Sequence, residues 1–338
     1  MIIHTKSYPR AAIIGNPSDG YHGKTIAFVF SNFSANVTLF ESPELELTPA
    51  ALDLNIFANI DQLVAHVNYS GYYGGIRLLK AMIKVFYEYC KANKIEIEDK
   101  NFTMRYFTDI PQRLGLAGSS AIITAGIKAL MQFYGVTINP AQLANLVWSV
   151  EIHELGISAG LQDRVAQAYE HPVFMDFDKD YMEEHGYGKY DPIDPDKLPN
   201  FFIAYKREDS EGSEVTHNSL RTRHKNGDQE VLEAIEEWSG LSVKMKNCIS
   251  QGKPELIPEF MNRNFDLRSQ ILRIKAGHQR MVDIARNTGA SAKFTGSGGA
   301  IIGTYSDNTM FNILKIKLKK HGIDILKPKI VTNKLFKK

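Results

Sequence analysis

A glycine- and serine-rich turn that runs directly into a helix constrains this 338-residue chain most. The stretch 109–121 reads Asp-Ile-Pro-Gln-Arg-Leu-Gly-Leu-Ala-Gly-Ser-Ser-Ala. Gly115 and Gly118 allow close approach to a bulky anion because they carry no Cβ atom. We expect Ser119 and Ser120 at the N-cap and first-turn positions of the helix that follows. The unpaired N–H groups and the dipole of such a helix start favour a bound phosphate.

A glycine-serine turn can also be nothing more than a well-capped helix start. Two other stretches favour phosphate binding. The stretch 9–19, which reads Pro-Arg-Ala-Ala-Ile-Ile-Gly-Asn-Pro-Ser-Asp, is typical of a buried strand that enters a polar turn. The stretch 292–303, which reads Ala-Lys-Phe-Thr-Gly-Ser-Gly-Gly-Ala-Ile-Ile-Gly, is a glycine loop between apolar residues.

In order and approximate spacing, these three stretches resemble the signature motifs of the GHMP small-molecule kinases. That family includes galactokinase, homoserine kinase, mevalonate kinase and phosphomevalonate kinase. In combination with three shorter motifs, these stretches look most similar to the glucuronokinase branch. The shorter motifs are Tyr-Gly-Gly-Ile-Arg-Leu-Leu at 73–79, Gly-Leu-Gln-Asp-Arg at 160–164 and Asn-Phe-Asp-Leu-Arg at 264–268.

The resemblance implies an α+β, two-domain GHMP kinase fold. Residues 1–195 would form an N-terminal α/β domain with a mixed sheet, and residues 196–338 a C-terminal ferredoxin-like α/β domain. The implied reaction is transfer of the γ-phosphoryl group of ATP, with Mg²⁺, to a sugar, with the anomeric hydroxyl of D-glucuronate as the expected acceptor. The alternatives are another hexose or a heptose phosphate as acceptor, or a catalytically silent nucleotide or sugar sensor.

The net charge and the cysteines indicate which partners and which cellular compartment to expect. Forty Lys and Arg residues against 38 Asp and Glu give a formal net charge of +2, which favours neither nucleic acid nor a membrane as partner. Cys90 and Cys248 lack the spacing of a metal site or a disulfide framework, so we expect buried free thiols in a reducing compartment. Since no apolar run approaches membrane-spanning length and no signal peptide is evident, we expect a cytoplasmic protein.

The apolar pattern predicts strands early in the chain and helices packed on them, which is typical of α+β layering. We interpret the charged stretch 207–227 as a solvated loop. The segment 18–25 nearly matches a Walker A loop, but Ser18 replaces its first glycine and a strand-like pattern follows, so we reject it. Strands are predicted at 10–15, 24–47, 102–108, 201–205, 300–305 and 323–331, and helices at 74–93, 120–134, 140–155, 228–250, 254–273, 277–288 and 308–321.

Phosphoryl transfer requires positioning and charge neutralisation around the phosphates. The resemblance implies that Ser120 and Glu151 hold Mg²⁺, with Ser119 as the phosphate-facing alternative. By residue type alone, an isolated helix glutamate such as Glu151 is usually a solvated surface residue. The resemblance also implies a nucleotide site built from Pro111, Gly115, Leu116, Ala117, Gly118, Ser119, Ser120, Gly296, Ser297 and Gly298.

On the acceptor side, the resemblance implies that Asp163 acts on the hydroxyl as general base or orienting group, with Arg10 beside it. A close Arg10–Asp163 pair would keep the carboxylate ionised by lowering its pKa, which suits an orienting role better than a strong base. A purely structural ion pair is the alternative. Asp19 and Asn16 are the implied sugar ligands, and Asp19 also suits an Asx-turn after Pro17.

A uronic acid would present a carboxylate, which the planar fork of an arginine binds well. Four arginines lie in or beside the motifs. Arg77 and Arg268 are our assigned substrate ligands, although Arg268 also suits an interhelix salt bridge. Arg113, beside the phosphate loop, is equally placed to serve ATP, and Arg263 is the fourth candidate. The sequence does not choose among the four.

Overall fold

The computed structural model describes residues 1–50, 53, 59–60, 62, 74–206 and 214–336. Tyr73, the first residue of one predicted motif, lies outside the described residues, as does the start of the predicted charged loop. The described strands are β1 (Ile2–Ser7), β2 (Arg10–Ile14), β3 (Lys24–Val29), β4 (Ala35–Glu41), β5 (Glu46–Thr48), β6 (Phe102–Thr108), β7 (Val173–Asp176), β8 (Lys189–Pro192), β9 (Phe201–Tyr205), β10 (Lys293–Phe294), β11 (Ala300–Thr304) and β12 (Asp324–Leu326).

Several of the helices pack an apolar face against these strands. The described helices are α1 (Gly75–Ala92), α2 (Gly118–Tyr134), α3 (Pro140–Ser149), α4 (Gln162–Tyr169), α5 (Lys179–His185), α6 (Glu214–Lys225), α7 (Gln229–Ser250), α8 (Ile257–Ile271), α9 (Ala276–Arg286) and α10 (Asn308–Lys319).

The first sheet has the order β1-β4-β6-β5 and is mixed, because β5 runs parallel to β6 whereas the other pairs are antiparallel. Strand β4 buries Ala35, Val37 and Leu39 at alternate positions, as a half-buried strand must. Helix α2 packs against β1 and β4. Its Gly126 lies where a Cβ atom would overlap Met82 of α1, so the two helices approach closely. The start of α2 is thereby fixed against the sheet.

The other two sheets are antiparallel. The second has the order β2-β3-β7-β8, and the third has the order β10-β11-β9-β12. The third sheet follows a β-helices-β-β-α-β chain order, which is the ferredoxin-like arrangement predicted for the C-terminal half. The predicted α+β class, with a mixed sheet in the first half, is confirmed.

One continuous core crosses the predicted domain boundary at residue 195. Its buried members include Phe28 and Phe201, whose ring centroids lie 5.6 Å apart. Helix α7 packs on β3, and the Ser242 hydroxyl donates to the Lys24 carbonyl at 2.7 Å. The halves therefore share apolar surface beside the polar turn after β2. The boundary itself stays a prediction.

Several predictions about secondary structure need correction. Part of the predicted charged loop is the helix α6, whose Leu220 is buried in a cluster with Trp238 of α7. Charged residues are frequent in this helix, which is why the sequence pattern is misleading there. The predicted strand 323–331 is limited to β12, and strand β1 was not predicted.

Two other predictions are confirmed. Strand β3 begins at Lys24, so no helix follows the rejected Walker-like segment. Cys90 and Cys248 lie in helices α1 and α7 as buried free thiols. Across the described ranges, we find no helix with the length and apolar character that a membrane crossing requires.

Candidate active site

The loop before α2 curves because three of its residues adopt the left-handed conformation. Arg113, Gly115 and Ala117 have φ angles of 57°, 64° and 61°. The N-cap of α2 is Ala117, with no side-chain cap, so the prediction that a serine caps this helix is wrong. The sequence pattern misleads here because alanine seldom adopts a left-handed φ.

The first turn of α2 has its N–H groups available. No acceptor among the described residues takes the N–H of Gly118, Ser119 or Ser120, whereas the Ala121 N–H already bonds to the Ala117 carbonyl. Such unpaired groups at a helix start, next to a loop of left-handed residues, form an anion-binding concavity.

The two serines of this turn have different partners. The Ser119 hydroxyl donates to Glu151 Oε1 at 2.7 Å. The Ser120 hydroxyl is fully buried and donates to the Ala117 carbonyl at 3.2 Å. The structure therefore brings Glu151 to Ser119, whereas the predicted metal pair was Ser120 and Glu151. Glu151 lies in a π-helical turn, Val150–Glu154, that extends α3, and such turns recur at functional sites.

Arg164 on α4 binds the other oxygen of Glu151. Its Nε donates to Glu151 Oε2 at 2.7 Å and its Nη2 to the same oxygen. Its Nη1 lies 3.3 Å from Asp163 Oδ2. Burial acts to lower the pKa of Arg164, but the charges of Glu151 and Asp163 raise it above its ordinary value. This role was not predicted, because its only signal in the sequence is an arginine directly after the assigned aspartate.

Arg10 on β2 holds the other side of Asp163, so the predicted pair is present. Its Nε donates to Asp163 Oδ1 at 2.7 Å, and its Nη2 lies 2.5 Å from the same oxygen. Its Nη1 donates to the Gly115 carbonyl at 3.2 Å and to the Thr295 carbonyl. These contacts and those of Arg164 connect the phosphate loop to the start of α2 through a continuous series of side chains. We call this series the paired-charge ring; in order, its members are Gly115, Arg10, Asp163, Arg164, Glu151 and Ser119.

The two glycine loops meet beside this ring. A Cβ atom on Gly115 would lie 2.9 Å from the Gly298 carbonyl oxygen and 2.9 Å from the Ser297 nitrogen. A Cβ atom on Gly296 would overlap the Gly115 carbonyl oxygen. Backbone therefore packs on bare backbone here, and the predicted second nucleotide loop lies against the first.

Asp19 lies next to Asp163. It is in a 3₁₀ turn, Ser18–Tyr21, and its carboxylate lies where a Cβ atom on Gly160 would be. Burial and the charge of Asp163 raise the pKa of Asp19 to about 6, although Arg10 and Arg164 act to lower it. The structure thus brings together the two acids that the sequence assigned to the acceptor.

Asn16 is enclosed by protein groups. Its Oδ1 accepts from Lys293 Nζ at 2.5 Å, and its Nδ2 donates to the Gly296 carbonyl at 3.4 Å. Asn264 donates to its backbone carbonyl at 3.1 Å. The side chain therefore joins the polar turn after β2 to the second glycine loop.

The four candidate arginines occupy different surroundings. Arg268 is 2% exposed and donates to the carbonyls of Gly296 at 3.0 Å and Ser297 at 2.9 Å. Arg263, in contrast, is exposed, and Glu237 accepts from its Nε and Nη2 at 2.5 and 2.7 Å. The remaining two are exposed: Arg77, which donates to the Leu155 carbonyl at 3.1 Å, and Arg113. Of the four, only Arg268 lies buried beside the second glycine loop.

Comparisons with known proteins agree with this geometry. Residues 77–171 match the model of the GHMP kinases N terminal domain. The chain is 40% identical to probable glucuronokinase 2 of Arabidopsis thaliana over 99% of its length and 93% of the relative's. It is also 40% identical to glucuronokinase 1 of the same plant, over 89% of this chain and 84% of the relative.

A solved structure has the same fold. The Streptococcus pneumoniae phosphomevalonate kinase in complex with phosphomevalonate and AMPPNP superposes with a TM-score of 0.75, over 97% of this chain and 100% of that chain. Its sequence identity to this chain is 15%. The likeness therefore lies in the architecture.

Proposed function

This chain belongs to the GHMP kinase family, and we propose that it transfers the γ-phosphoryl group of ATP to the anomeric hydroxyl of D-glucuronate. Two named glucuronokinases, each 40% identical, support the acceptor. The observation that carries the proposal is the paired-charge ring, because it joins the phosphate loop to Asp163 through unbroken contacts. Phosphoryl transfer requires that phosphates and acceptor be held in one rigid frame.

The nucleotide phosphates are assigned to the first turn of α2 and to both glycine loops. The unpaired N–H groups of Gly118, Ser119 and Ser120 suit phosphate oxygens. We assign the predicted metal to Ser119 and Glu151, because these two side chains touch and Ser120 bonds elsewhere. Carboxylate and hydroxyl oxygens are ligands that suit Mg²⁺.

Mg²⁺ is expected to arrive with the nucleotide. Across the described ranges, no group of three or more His, Cys, Asp or Glu side chains converges on one point. Mg²⁺ is commonly held by one or two carboxylates together with substrate phosphates, which suits so small a ligand set. When bound, it would neutralise charge on the phosphates.

Asp163 is assigned to the acceptor hydroxyl. It lies between the guanidinium groups of Arg10 and Arg164, which fix both carboxylate oxygens. A carboxylate held in this way accepts the hydrogen bond of the attacking hydroxyl and orients it. Asp19, with its pKa near 6, lies beside it and is assigned to sugar hydroxyls.

The test is ATP consumption by the purified protein with Mg²⁺ against a panel of acceptors: glucuronate, galacturonate, glucose, galactose, mannose and a heptose 7-phosphate. We expect turnover with glucuronate, and phosphorus NMR of the product should place the phosphate on the anomeric carbon. Turnover only with a neutral hexose or the heptose phosphate would reject glucuronate. ATP binding without turnover on any acceptor would favour a silent sensor.

We assign the activity to the cytoplasm, which suits two buried free thiols.

A further inference from the structure

Two buried basic side chains beside the second glycine loop, Arg268 and Lys293, contact no carboxylate among the described residues. Lys293 is 1% exposed, and its ammonium donates to the carbonyls of Ala12 and Phe294 at 2.9 and 2.8 Å and to Asn16 Oδ1 at 2.5 Å. Arg268 donates to two loop carbonyls and lies over the Phe294 ring at 5.1 Å. Neither makes an ion pair with any carboxylate in the described part of the chain. Their partners are neutral oxygens and a ring.

Burial without a counter-ion is unfavourable for both groups. Burial lowers the pKa of Arg268 to about 10. Burial, together with the charges of Arg268 and Arg10, lowers the pKa of Lys293 well below its ordinary value. A buried positive charge is costly unless an anion accompanies it. The electrostatics therefore favour an anion that is supplied by a ligand.

One edge of the Arg268 guanidinium remains available. Its Nε is buried and has no acceptor among the described residues. A carboxylate binds a guanidinium with two parallel hydrogen bonds, for which an Nε–H and a neighbouring Nη–H suffice. The charge of Asp19 acts on Arg268, so the free edge lies within electrostatic reach of the acid assigned to the sugar. Arg268 and Asn16, an assigned sugar ligand, also donate to the same Gly296 carbonyl, which places Arg268 near the acceptor side of the site.

We infer that Arg268, with Lys293 behind it, binds the carboxylate of the acceptor sugar and so selects a uronic acid over a neutral hexose. The inference rests on the proposed function. The phosphates of the nucleotide are the other possible anion. Their oxygens have unpaired N–H donors of their own at the start of α2 and do not depend on Arg268. Asn16, held between Lys293 and Gly296, is a neutral side chain in the same place, so it does not repel a carboxylate.

The test compares glucuronate with glucuronamide, in which a neutral amide replaces the carboxylate. Calorimetry without ATP gives the dissociation constant of each for the wild type, Arg268→Gln and Arg263→Gln. Arg263→Gln is the matched control because that arginine lies on the same helix, is exposed and pairs with Glu237. We expect the wild type and the control to prefer glucuronate by about 10- to 100-fold, and Arg268→Gln to lose this preference.

An unchanged preference in Arg268→Gln would overturn the inference. So would a raised KM for ATP with the preference for glucuronate intact, because Arg268 would then serve phosphate. If Arg268→Gln does not fold, Arg268→Lys provides the same comparison, with an intermediate preference expected because it keeps the charge but loses the fork. Wild-type preference for glucuronate without turnover would count against the proposed reaction and leave the carboxylate site standing.

Discussion

The paired-charge ring and the Arg268–Lys293 pair differ in how their buried positive charges are balanced. In the ring, each cation contacts a carboxylate: Arg10 binds Asp163, and Arg164 binds both Asp163 and Glu151. Arg268 and Lys293 are as deeply buried, yet among the described residues their polar partners are carbonyls and one amide oxygen, and Arg268 also lies over a ring. The ring is electrostatically complete without a ligand, whereas the pair is not.

This difference indicates separate roles for the two groups. Complete ion pairs in a low-dielectric interior hold side chains in one geometry, which is what the attacking hydroxyl and the phosphates require. Buried cations that contact no carboxylate favour binding of an anion, because the anion offsets the free-energy cost of burying their charge. The ring should therefore affect chemistry most, and the pair should affect which acceptor binds.

The largest expected effect comes from breaking the ring at its centre. Asp163→Asn keeps the shape of the side chain but removes the charge between Arg10 and Arg164. We expect kcat to fall by about 10³-fold, within the usual range for loss of an acid–base group, with the KM for ATP nearly unchanged. Steady-state kinetics with glucuronate and ATP would measure both. Unchanged turnover would reject the assignment of Asp163.

The second largest expected effect is a pH-dependent change in stability at Asp19, which lies beside the ring. Burial and Asp163 raise its pKa from 3.8 to about 6, so the folded protein binds this proton more tightly than the unfolded chain does. The stabilising contribution is complete below about pH 4 and is lost as the pH rises through 6. Asp19→Asn does not ionise and avoids this loss.

Asp19→Asn should therefore gain stability over the wild type between pH 4 and pH 7, by up to about 3 kcal/mol at 1.36 kcal/mol per pKa unit. Urea unfolding at several pH values gives the difference in free energy of unfolding. Asp324→Asn, an exposed site on β12, is the control. If the difference in free energy of unfolding does not change with pH, the surroundings of Asp19 do not raise its pKa.

The smallest expected effect concerns the metal end of the ring. Glu151→Gln keeps an acceptor for Ser119 but removes the charge that binds Arg164. We expect the Mg²⁺ concentration for half-maximal rate to rise about 10-fold, since a ligand charge is lost. Glu154→Gln, in the same π turn but paired with Lys84, is the matched control. An equal response of both variants would move the metal ligand away from Glu151.

The contact between two motifs was predictable from the sequence. The burial of individual side chains and the helical register at the start of α2 were not. The Arg10–Asp163 pair spans 153 positions and was predicted from motif resemblance. The choice between Ser119 and Ser120 depends on one residue of helical register, and the unusual N-cap at Ala117 shifts that register. Burial of Arg268 follows from tertiary packing, so no local pattern separates it from Arg263.

Arg164 and α6 show two further reasons for the missed features. Arg164 contacts Glu151 only because the π turn after α3 brings that glutamate to α4, and a π turn has no clear sequence signature. Helix α6 is highly charged, so its composition resembles that of a loop, although its Leu220 is buried. The fold class depends on long apolar elements, and these were visible in the sequence.

The division of roles between the ring and the Arg268–Lys293 pair is tested most directly by glucuronate saturation curves at saturating ATP for the wild type, Asp163→Asn and Arg268→Gln. We predict that Asp163→Asn lowers kcat with little change in KM for glucuronate. We predict that Arg268→Gln raises that KM at least 10-fold with little change in kcat. If both variants lower kcat and leave KM unchanged, the two groups act as one unit and the division is wrong.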